Sequence, residues 1–394
     1  MQTRFLSRFM CLALAFDLGV LVACGQPEPD ADQATAGSVE AADADDELLA
    51  QALAIHQRVL TVDTHDDIPL DFATPEVDPG IRGDRQVDLP KMQEGGLDAA
   101  FFVVFVGQTE RTFENYEQAK ADARTKFDAI HRMAEEMYPD RIEIAYSADD
   151  VERIATAGKL VSAIGIENGY AIGQDLSLLS DYHARGARYI TLAHNGHNDI
   201  ADSATPRQRL GDADAEHDGI SAFGEDVINE MNRLGIMVDV SHISKQAMLD
   251  AVRLSVAPVI ASHSSTRALR DHPRNMDDEQ LLALRDNGGV MQTVALGNFV
   301  SGREEPPVAV SDFIDHIDHA VGLMGIDHVG ISSDFDGGGG VAGWSDASET
   351  FNVTLELARR GYTEGEIAKL WGLNLLRVWR AVEAVSRSLQ EGRE

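Results

Sequence analysis

Two histidines that follow neighbouring predicted strands indicate a site for a metal ion. His242 comes just after the apolar, β-type run Ile236–Val240, and His263 comes just after the similar run Val259–Ala261. Between these runs, the segment 244–254 has apolar residues at helical spacing, which predicts a strand, a helix and a second, parallel strand. Parallel strands joined in this way end at the same edge of a sheet, so both imidazoles would lie there. Two neutral imidazoles side by side are typical ligands of zinc.

The elements that must position these residues alternate regularly along the chain. Amphipathic helical patterns such as Glu114–Met137, Gly224–Leu234, Met276–Asp286 and Val310–Met324 separate most of the predicted strands. This alternation predicts an α/β fold, a closed (β/α)8 or TIM barrel, with its chemistry at the carboxyl ends of the strands. An open, doubly wound sheet is the alternative, but no glycine-rich phosphate loop follows the first strand to favour it. The eight predicted strands are Leu60–Val62, Ala99–Val106, Leu160–Ile166, Ala187–Leu192, Ile236–Val240, Pro258–Ala261, Gly289–Leu296 and His328–Ile331.

Six of the eight strand ends carry a side chain that can bind a metal or transfer a proton. A single such side chain would more often be an ordinary loop residue or a helix cap. Six at the same end of one barrel instead predict a clustered metal site. The six are the segment Asp63 to Asp67, Glu167, His194, His242, His263 and the segment Ser333 to Asp336.

The chemistry of this set favours two metal ions rather than one. Glu167 can bridge two cations with one carboxylate oxygen on each. His65 and Asp67 are two residues apart on an extended chain, so they face the same way. With His242 and His263 they complete a set of three neutral imidazoles and two carboxylates. Two divalent ions roughly 3.5–4 Å apart would hold a bridging water as hydroxide for attack on a carbonyl or phosphoryl centre, which predicts metal-assisted hydrolysis.

Ordered motifs that extend over nearly the whole domain carry a resemblance to a known family. They are VDTHDDIP (62–69), AIGIENGYAIG (163–173), YITLAHNGHNDIADS (189–203), GISAFGEDVINEMNRLGIMVDVSH (219–242), PVIASHSSTRALRDHPRNMDDE (258–279), HVGISSDFDGG (328–338) and WGLNLLRVW (371–379). This series resembles the membrane or renal dipeptidase family, peptidase family M19. The resemblance implies an amidohydrolase-type barrel with two Zn²⁺ ions per chain, dipeptide substrates and a homodimer.

The resemblance also implies roles for the metal-type residues, position by position. His65 and Asp67 would bind one zinc ion, and His242 and His263 would bind the other. Glu167 would bridge the two ions and so belongs to the catalytic set as well as to the metal ligands.

Three further residues take catalytic or substrate-binding roles by the same resemblance. His194 would polarise the scissile carbonyl and stabilise the oxyanion. Arg274 would hold the terminal carboxylate of the substrate. Asp334 would carry a proton from the attacking water to the leaving amine.

The residues themselves leave alternatives open for these three positions. Arg274 can grip a carboxylate with paired hydrogen bonds, but it can equally form a surface salt bridge with Asp271 or Asp277. His194 can serve as a third ligand of one zinc instead of an oxyanion donor. The acid/base carboxylate has a rival two residues further on, at Asp336.

The first 47 residues have the composition of an export signal and a tether. Arg4 and Arg8 precede an apolar stretch, and Leu21-Val22-Ala23-Cys24 resembles the lipobox of bacterial lipoproteins. We therefore predict a lipoprotein signal peptide over 1–23, a lipidated Cys24 followed by a flexible acidic linker to residue 47, and the dipeptidase barrel over 48–394. An ordinary secretory signal or a fortuitous apolar start is the alternative.

These features predict the cellular location of the protein and exclude some classes of binding partner. The expected place is the bacterial cell envelope, with a lipid anchor in a membrane and the domain facing the periplasm or the exterior. No apolar run after residue 24 is long enough to cross a bilayer, so the anchor would be the sole membrane contact. The formal net charge of −33 argues against binding to nucleic acids or anionic lipids, because a polyanion would be repelled.

The favoured function is a zinc-dependent dipeptidase that uses a metal-bridged hydroxide and tolerates a D-residue at the C-terminal position. A related amidohydrolase acting on a lactam, a lactone or another amide is one alternative. A non-catalytic binding lipoprotein is the other. Arg274 separates the first two, since substrates without a free carboxylate would not need it. The full ligand set argues against the third, because a binding domain gains nothing from it.

Overall fold

The computed structural model describes residues 45–392. A compact unit begins at Glu47. The predicted signal peptide, the lipidated Cys24 and nearly all of the predicted linker lie outside the described residues.

A parallel sheet of nine strands forms the centre of the domain, and eight of its strands curve into a barrel. The strands are β1 Val62–Asp67, β2 Ala99–Phe105, β3 Ile142–Ile144, β4 Leu160–Glu167, β5 Ala187–Thr191, β6 Met237–Asp239, β7 Ile260–Ser264, β8 Val290–Val294 and β9 Val329–Ser332. In the barrel each strand pairs with the next, in the order β1, β2, β4, β5, β6, β7, β8, β9, while the short β3 pairs only with β4. The barrel closes where Asp66 bridges to Phe335, just after β9, and where the Asp67 N–H donates to the Phe335 carbonyl at 2.9 Å.

The predicted (β/α)8 barrel is confirmed, with two differences in its strands. The first strand was predicted to end at Val62, but β1 begins there and continues through His65 to Asp67. Its polar residues are buried at the mouth of the barrel, so the end of the apolar run did not mark the end of the strand. The additional β3 has only three residues, too few for a periodic pattern.

Helices surround the barrel and follow most of its strands. The predicted helix Val310–Met324 has the predicted bounds, and the capping box of Asp277 and Gln280 is present at the start of α8. The predicted helix Glu114–Met137 is α3 followed by a π-helical turn over Arg132–Met137. The helices are α1 over 45–56, α2 Leu89–Gly95, α3 Phe113–His131, α4 Ala148–Thr156, α5 Leu178–Ala184, α6 Ala222–Leu234, α7 Lys245–Leu254, α8 Asp278–Asp286, α9 Gly297–Val300, α10 Val310–Met324, α11 Phe351–Arg359, α12 Glu364–Ala368 and α13 Asn374–Glu391.

The C-terminal helix α13 closes the amino-terminal end of the barrel. Alternate residues of β2, including Phe101, point into the barrel and pack in one apolar cluster with Trp379 of α13. The two rings lie 5.7 Å apart, and Trp379 is fully buried. Since this end is filled, polar chemistry is confined to the opposite mouth.

Within residues 45–392, no helix combines the length and the apolarity needed to cross a bilayer.

Candidate metal centre

The five predicted metal ligands come together at the carboxyl ends of the barrel strands. His65 and Asp67 lie on β1, Glu167 is the last residue of β4, and His263 lies within β7. His242 follows β6 in the left-handed region, with φ of 70°. This strained conformation is uncommon for a residue with a side chain and is often found at functional sites.

Glu167 lies at the centre of this group, and its two carboxylate oxygens face different histidines. Oε2 is 3.6 Å from Nε2 of His65, whereas Oε1 is 3.0 Å from Nε2 of His242 and 3.4 Å from Nε2 of His263. Asp67 stands on the His65 side, with its Oδ2 3.9 Å from Nε2 of His65. The group thus has two halves that share one buried carboxylate, which is the arrangement expected of a bridging ligand.

Several nitrogen and oxygen atoms in this group are placed to coordinate a cation. Nε2 of His65 and Oδ1 of Asp67 are buried and have no hydrogen-bond partner among the described residues. Nε2 of His242 and Nε2 of His263 point at each other across 2.8 Å. Buried polar atoms normally have a hydrogen-bond partner. The convergence of these nitrogen and oxygen atoms therefore fits a pair of divalent cations.

The electrostatics of the group give most of these side chains the protonation state of a ligand. Burial acts to raise the pKa of Glu167, but His194 and His65 overcome it and lower that pKa well below its usual range. Burial lowers the pKa of His242 and His263, so both imidazoles are neutral. For His65, burial acts to lower the pKa, but Glu167 overrides it and raises the pKa to about 9, so a metal at Nε2 would have to displace a proton.

A tyrosine below the mouth of the barrel fixes the orientation of His65. The Tyr189 hydroxyl donates its single proton to the Thr64 carbonyl at 3.0 Å and lies 2.9 Å from Nδ1 of His65. It must therefore accept from the Nδ1–H, so that the neutral form of His65 has its lone pair on Nε2. Gly165 makes room for this tyrosine, since a Cβ there would lie 2.1 Å from its Cζ.

A serine and an aspartate orient His263 in the same way. The Ser262 hydroxyl donates to Oδ2 of Asp239 at 2.7 Å and lies 2.8 Å from Nδ1 of His263, from which it must accept. Tyr189, Ser262 and Asp239 were missed in the sequence because they lie in or beside apolar strands. Only Asp239, an acid inside the run IMVDV, carried a signal that could have been noticed.

Four of the five predicted ligands border a cavity of about 420 Å³, which is also lined by the other three predicted site residues, His194, Arg274 and Asp334. His194 places its Nε2 3.6 Å from Oε1 of Glu167 and packs edge-on against Phe105, with ring centroids 4.8 Å apart. The ligand atoms of His194, Glu167 and His242 lie within 4.8 Å of one another, so the geometry accommodates either of the predicted roles.

Arg274 is buried at this cavity and does not form the surface salt bridge considered as its alternative. Asp271 pairs with Arg267 at 2.8 Å, and Asp277 pairs with Lys245 at 2.6 Å. Arg274 donates from Nη2 to the His263 carbonyl at 3.2 Å, while its Nε has no partner among the described residues. Burial lowers the pKa of Arg274 to about 10, so the guanidinium remains charged at neutral pH.

The two aspartates that follow β9 differ in how far they are already engaged. Asp336 forms an ion pair with Arg85 at 3.1 Å and accepts hydrogen bonds from the backbone N–H groups of Gln86 and Val87. Asp334 is buried, and its carboxylate belongs to a group with His65 and Asp67 in which the ligand atoms lie within 4.8 Å of one another. Burial raises the pKa of Asp334 well above its usual range, which suits a group that must carry a proton.

Comparison with known proteins places this site among dipeptidases. The family model described as membrane dipeptidase (peptidase family M19) matches residues 49–393. Dipeptidase tcpJ of Claviceps purpurea is 37% identical over 307 residues, which cover 77% of this chain and 70% of that protein. Dipeptidase aclJ of Aspergillus oryzae is 36% identical over 312 residues, which cover 78% of this chain and 72% of that protein.

Two solved structures extend the similarity to three dimensions. The probable dipeptidase PvdM from Pseudomonas aeruginosa has a TM-score of 0.83 at 33% identity, covering 86% of this chain and 99% of that chain. A metallo peptidase from Rhodobacter sphaeroides, liganded with a phosphinate mimic of the dipeptide L-Ala-D-Ala, has a TM-score of 0.72 at 25% identity. It covers 82% of this chain and 99% of that chain.

The contact between Tyr189 and His65 generates a prediction about metal affinity. Tyr189→Phe removes the acceptor of the Nδ1–H, so affinity for a divalent metal should weaken by roughly 10–100-fold, measured with added zinc by competition with a chromogenic chelator. Tyr182→Phe is the matched control, because it removes a hydrogen bond of 2.8 Å to the Ala171 carbonyl, away from the ligands. Equal zinc affinity in the two variants would contradict the role of Tyr189.

Proposed function

The chain belongs to the membrane dipeptidase family, peptidase family M19, and is a metallo-dipeptidase; we propose that it cleaves the peptide bond of free dipeptides with two zinc ions per chain. The observation that carries the proposal is the position of Glu167. One of its oxygens faces His65, and the other faces His242 and His263. Imidazole and carboxylate ligands of this kind suit zinc.

The residues around the cavity divide the work of hydrolysis among them. Zinc held at Glu167 would supply Lewis acidity and lower the pKa of a bound water. His194 donates a hydrogen bond to the scissile carbonyl oxygen and stabilises the negative charge that develops on it. Asp334 takes the proton from the attacking water and returns it to the leaving amine. Asp336 is a poorer candidate for this transfer because Arg85, Gln86 and Val87 already bind its carboxylate.

Arg274 makes the enzyme selective for substrates with a free carboxylate. Its guanidinium is buried beside the ligands, and its Nε lacks a partner among residues 45–392. A dipeptide's terminal carboxylate is the group that can meet it with paired hydrogen bonds. This argues against a lactam, a lactone or another amide without a carboxylate as the substrate.

We further propose that the site accepts a D-residue at the C-terminal position. The similar metallo peptidase from Rhodobacter sphaeroides was solved with a mimic of L-Ala-D-Ala, which supports such tolerance.

The complete ligand set argues against a binding protein that has lost catalysis. The hydrogen bonds of Tyr189, Ser262 and Asp239, which orient two of the predicted ligands, argue against it as well.

We also propose that the enzyme is a lipoprotein of the bacterial envelope, anchored through Cys24 and facing the periplasm or the exterior. This proposal rests on the basic residues, the apolar stretch and the lipobox-like tetrapeptide that ends at Cys24. The acidic segment that follows would serve as the tether.

The zinc proposal and the role of Asp334 are tested together. Purified protein should contain two zinc ions per chain and hydrolyse Ala-Ala. Asp334→Asn should lower kcat by about 100-fold or more while zinc content stays at two, because only proton transfer is lost. Asp336→Asn is the matched control and should have a much smaller effect on kcat. Loss of zinc from the Asp334 variant would make Asp334 a ligand, and an active protein without zinc would refute the centre.

Substrate selection by Arg274 is tested with and without the terminal carboxylate. Arg274→Ala should lower kcat/KM for Ala-Ala by roughly 10–100-fold relative to the C-terminal amide of Ala-Ala, since only the free dipeptide loses charged hydrogen bonds. The ratio of the two kcat/KM values is the measurement. If both substrates suffer equally, the guanidinium does not bind the carboxylate.

The lipid anchor is tested by fractionating cells that express the full chain. Cys24→Ser should move the protein from the membrane fraction to the soluble fraction, because the acylated residue is gone. Cys11→Ser is the matched control, since Cys11 lies in the segment that would be removed, and it should stay with membranes. A Cys24 variant that still sediments with lipid would refute the anchor.

A further inference from the structure

A lysine from outside the barrel reaches the same cavity. Lys126 lies on α3 and lines the cavity with the metal ligands and Arg274. Only 6% of its surface is exposed, and its Nζ lies 5.5 Å from the centroid of the Phe105 ring. Its ammonium is thus held over an aromatic face inside the site rather than in bulk solvent.

The charge of Lys126 is left without a direct partner. Its ammonium makes no hydrogen bond or ion pair within the part of the chain that the structure describes, and the carboxylates that act on it from farther away are those of Asp67, Glu167 and Asp122. Other cations nearby are engaged: Lys120 on the same helix pairs with Glu117 at 2.8 Å, and Arg85 pairs with Asp336. An ammonium that lines a binding cavity without a partner of its own points to an anion that arrives with the ligand.

The carboxylates of the metal centre do not serve as that anion in the working enzyme. Under the proposed function, Asp67 and Glu167 bind the two zinc ions, which adds positive charge close to Lys126. The terminal carboxylate of the substrate is bound by Arg274. Lys126 therefore requires a second negative group on the substrate.

The position of Lys126 indicates which part of a dipeptide would carry this group. The Phe105 ring contacts His194 and also lies under the Lys126 ammonium, so Lys126 is a neighbour of the residue that faces the scissile carbonyl. Arg274 has a separate aromatic neighbour, with its guanidinium 5.3 Å from the centroid of Phe299. With the C-terminal residue held at Arg274, the side chain nearest to Lys126 belongs to the N-terminal residue.

We propose that Lys126 binds the side-chain carboxylate of the substrate's N-terminal residue, so that this enzyme favours aspartyl and glutamyl dipeptides. The inference rests on the proposed function, because it assigns the terminal carboxylate to Arg274. It deepens that function by naming a substrate class.

The test compares two substrates that differ by one charge. The wild-type enzyme should cleave Glu-Ala with a kcat/KM about tenfold or more above that for Gln-Ala, and Lys126→Met should lower this ratio by about tenfold or more. Lys120→Met, a matched change on the same helix, should keep the wild-type ratio. A ratio near one in the wild type, or an equal loss for both substrates in the Lys126 variant, would overturn the inference.

Hydrolysis of Ala-Ala separates the failure of this inference from the failure of the proposed function. If the wild type cleaves Ala-Ala but shows no preference for Glu-Ala, only the role of Lys126 is wrong. If it cleaves none of these dipeptides, the proposed function and the inference fall together. If Lys126→Met changes only the preference for Ala-Glu over Ala-Gln, Lys126 binds the side chain of the C-terminal residue, and its assignment to the N-terminal residue is wrong.

Discussion

The whole site depends on a negative charge at Glu167 that is buried among three imidazoles. A carboxylate with only 4% of its surface exposed is costly to keep ionised unless cations or donors surround it. The compensating side chains come from β1, from β7 and from the turn after β6, so none can act unless the barrel closes in register. The closed sheet therefore brings the histidines together, and the histidines in turn lower the free-energy cost of burying the charge of Glu167.

Precision in this centre comes from a layer beneath the ligands. Tyr189 and Ser262 use their hydroxyls to set the tautomers of two histidines, and Asp239 anchors the second of these contacts. These hydroxyls are buried within the barrel, where neighbouring strands hold them in place. Gly165 contributes to the same arrangement, since any larger residue at this position would displace the Tyr189 ring. Two of the predicted metal ligands, His65 and His263, are thus oriented by side chains on rigid strands rather than on mobile loops.

Much of the fold and the site could be predicted because both leave strong patterns in the sequence. Apolar runs that each end at a histidine or an acid, as before His242 and His263, reveal a strand and its functional end together. The sequence could not show that β1 continues through His65, because the residues of β1 that are buried at the mouth of the barrel are polar. Nor could it decide between a surface and a buried position for Arg274, since Asp271 and Asp277 were equally near in sequence. Lys126 escaped notice because nothing in a helical pattern tells which lysine reaches a cavity formed by other elements.

The plug that α13 forms at the base of the barrel has a consequence for turnover. Within residues 45–392, Trp379 and its neighbours fill that end, so the cavity opens at the opposite mouth. Both amino acids released by cleavage must leave by the route along which the next dipeptide arrives. Each free amino acid also carries the carboxylate that Arg274 would recognise. We therefore expect the free amino acids to compete with the incoming dipeptide as they accumulate.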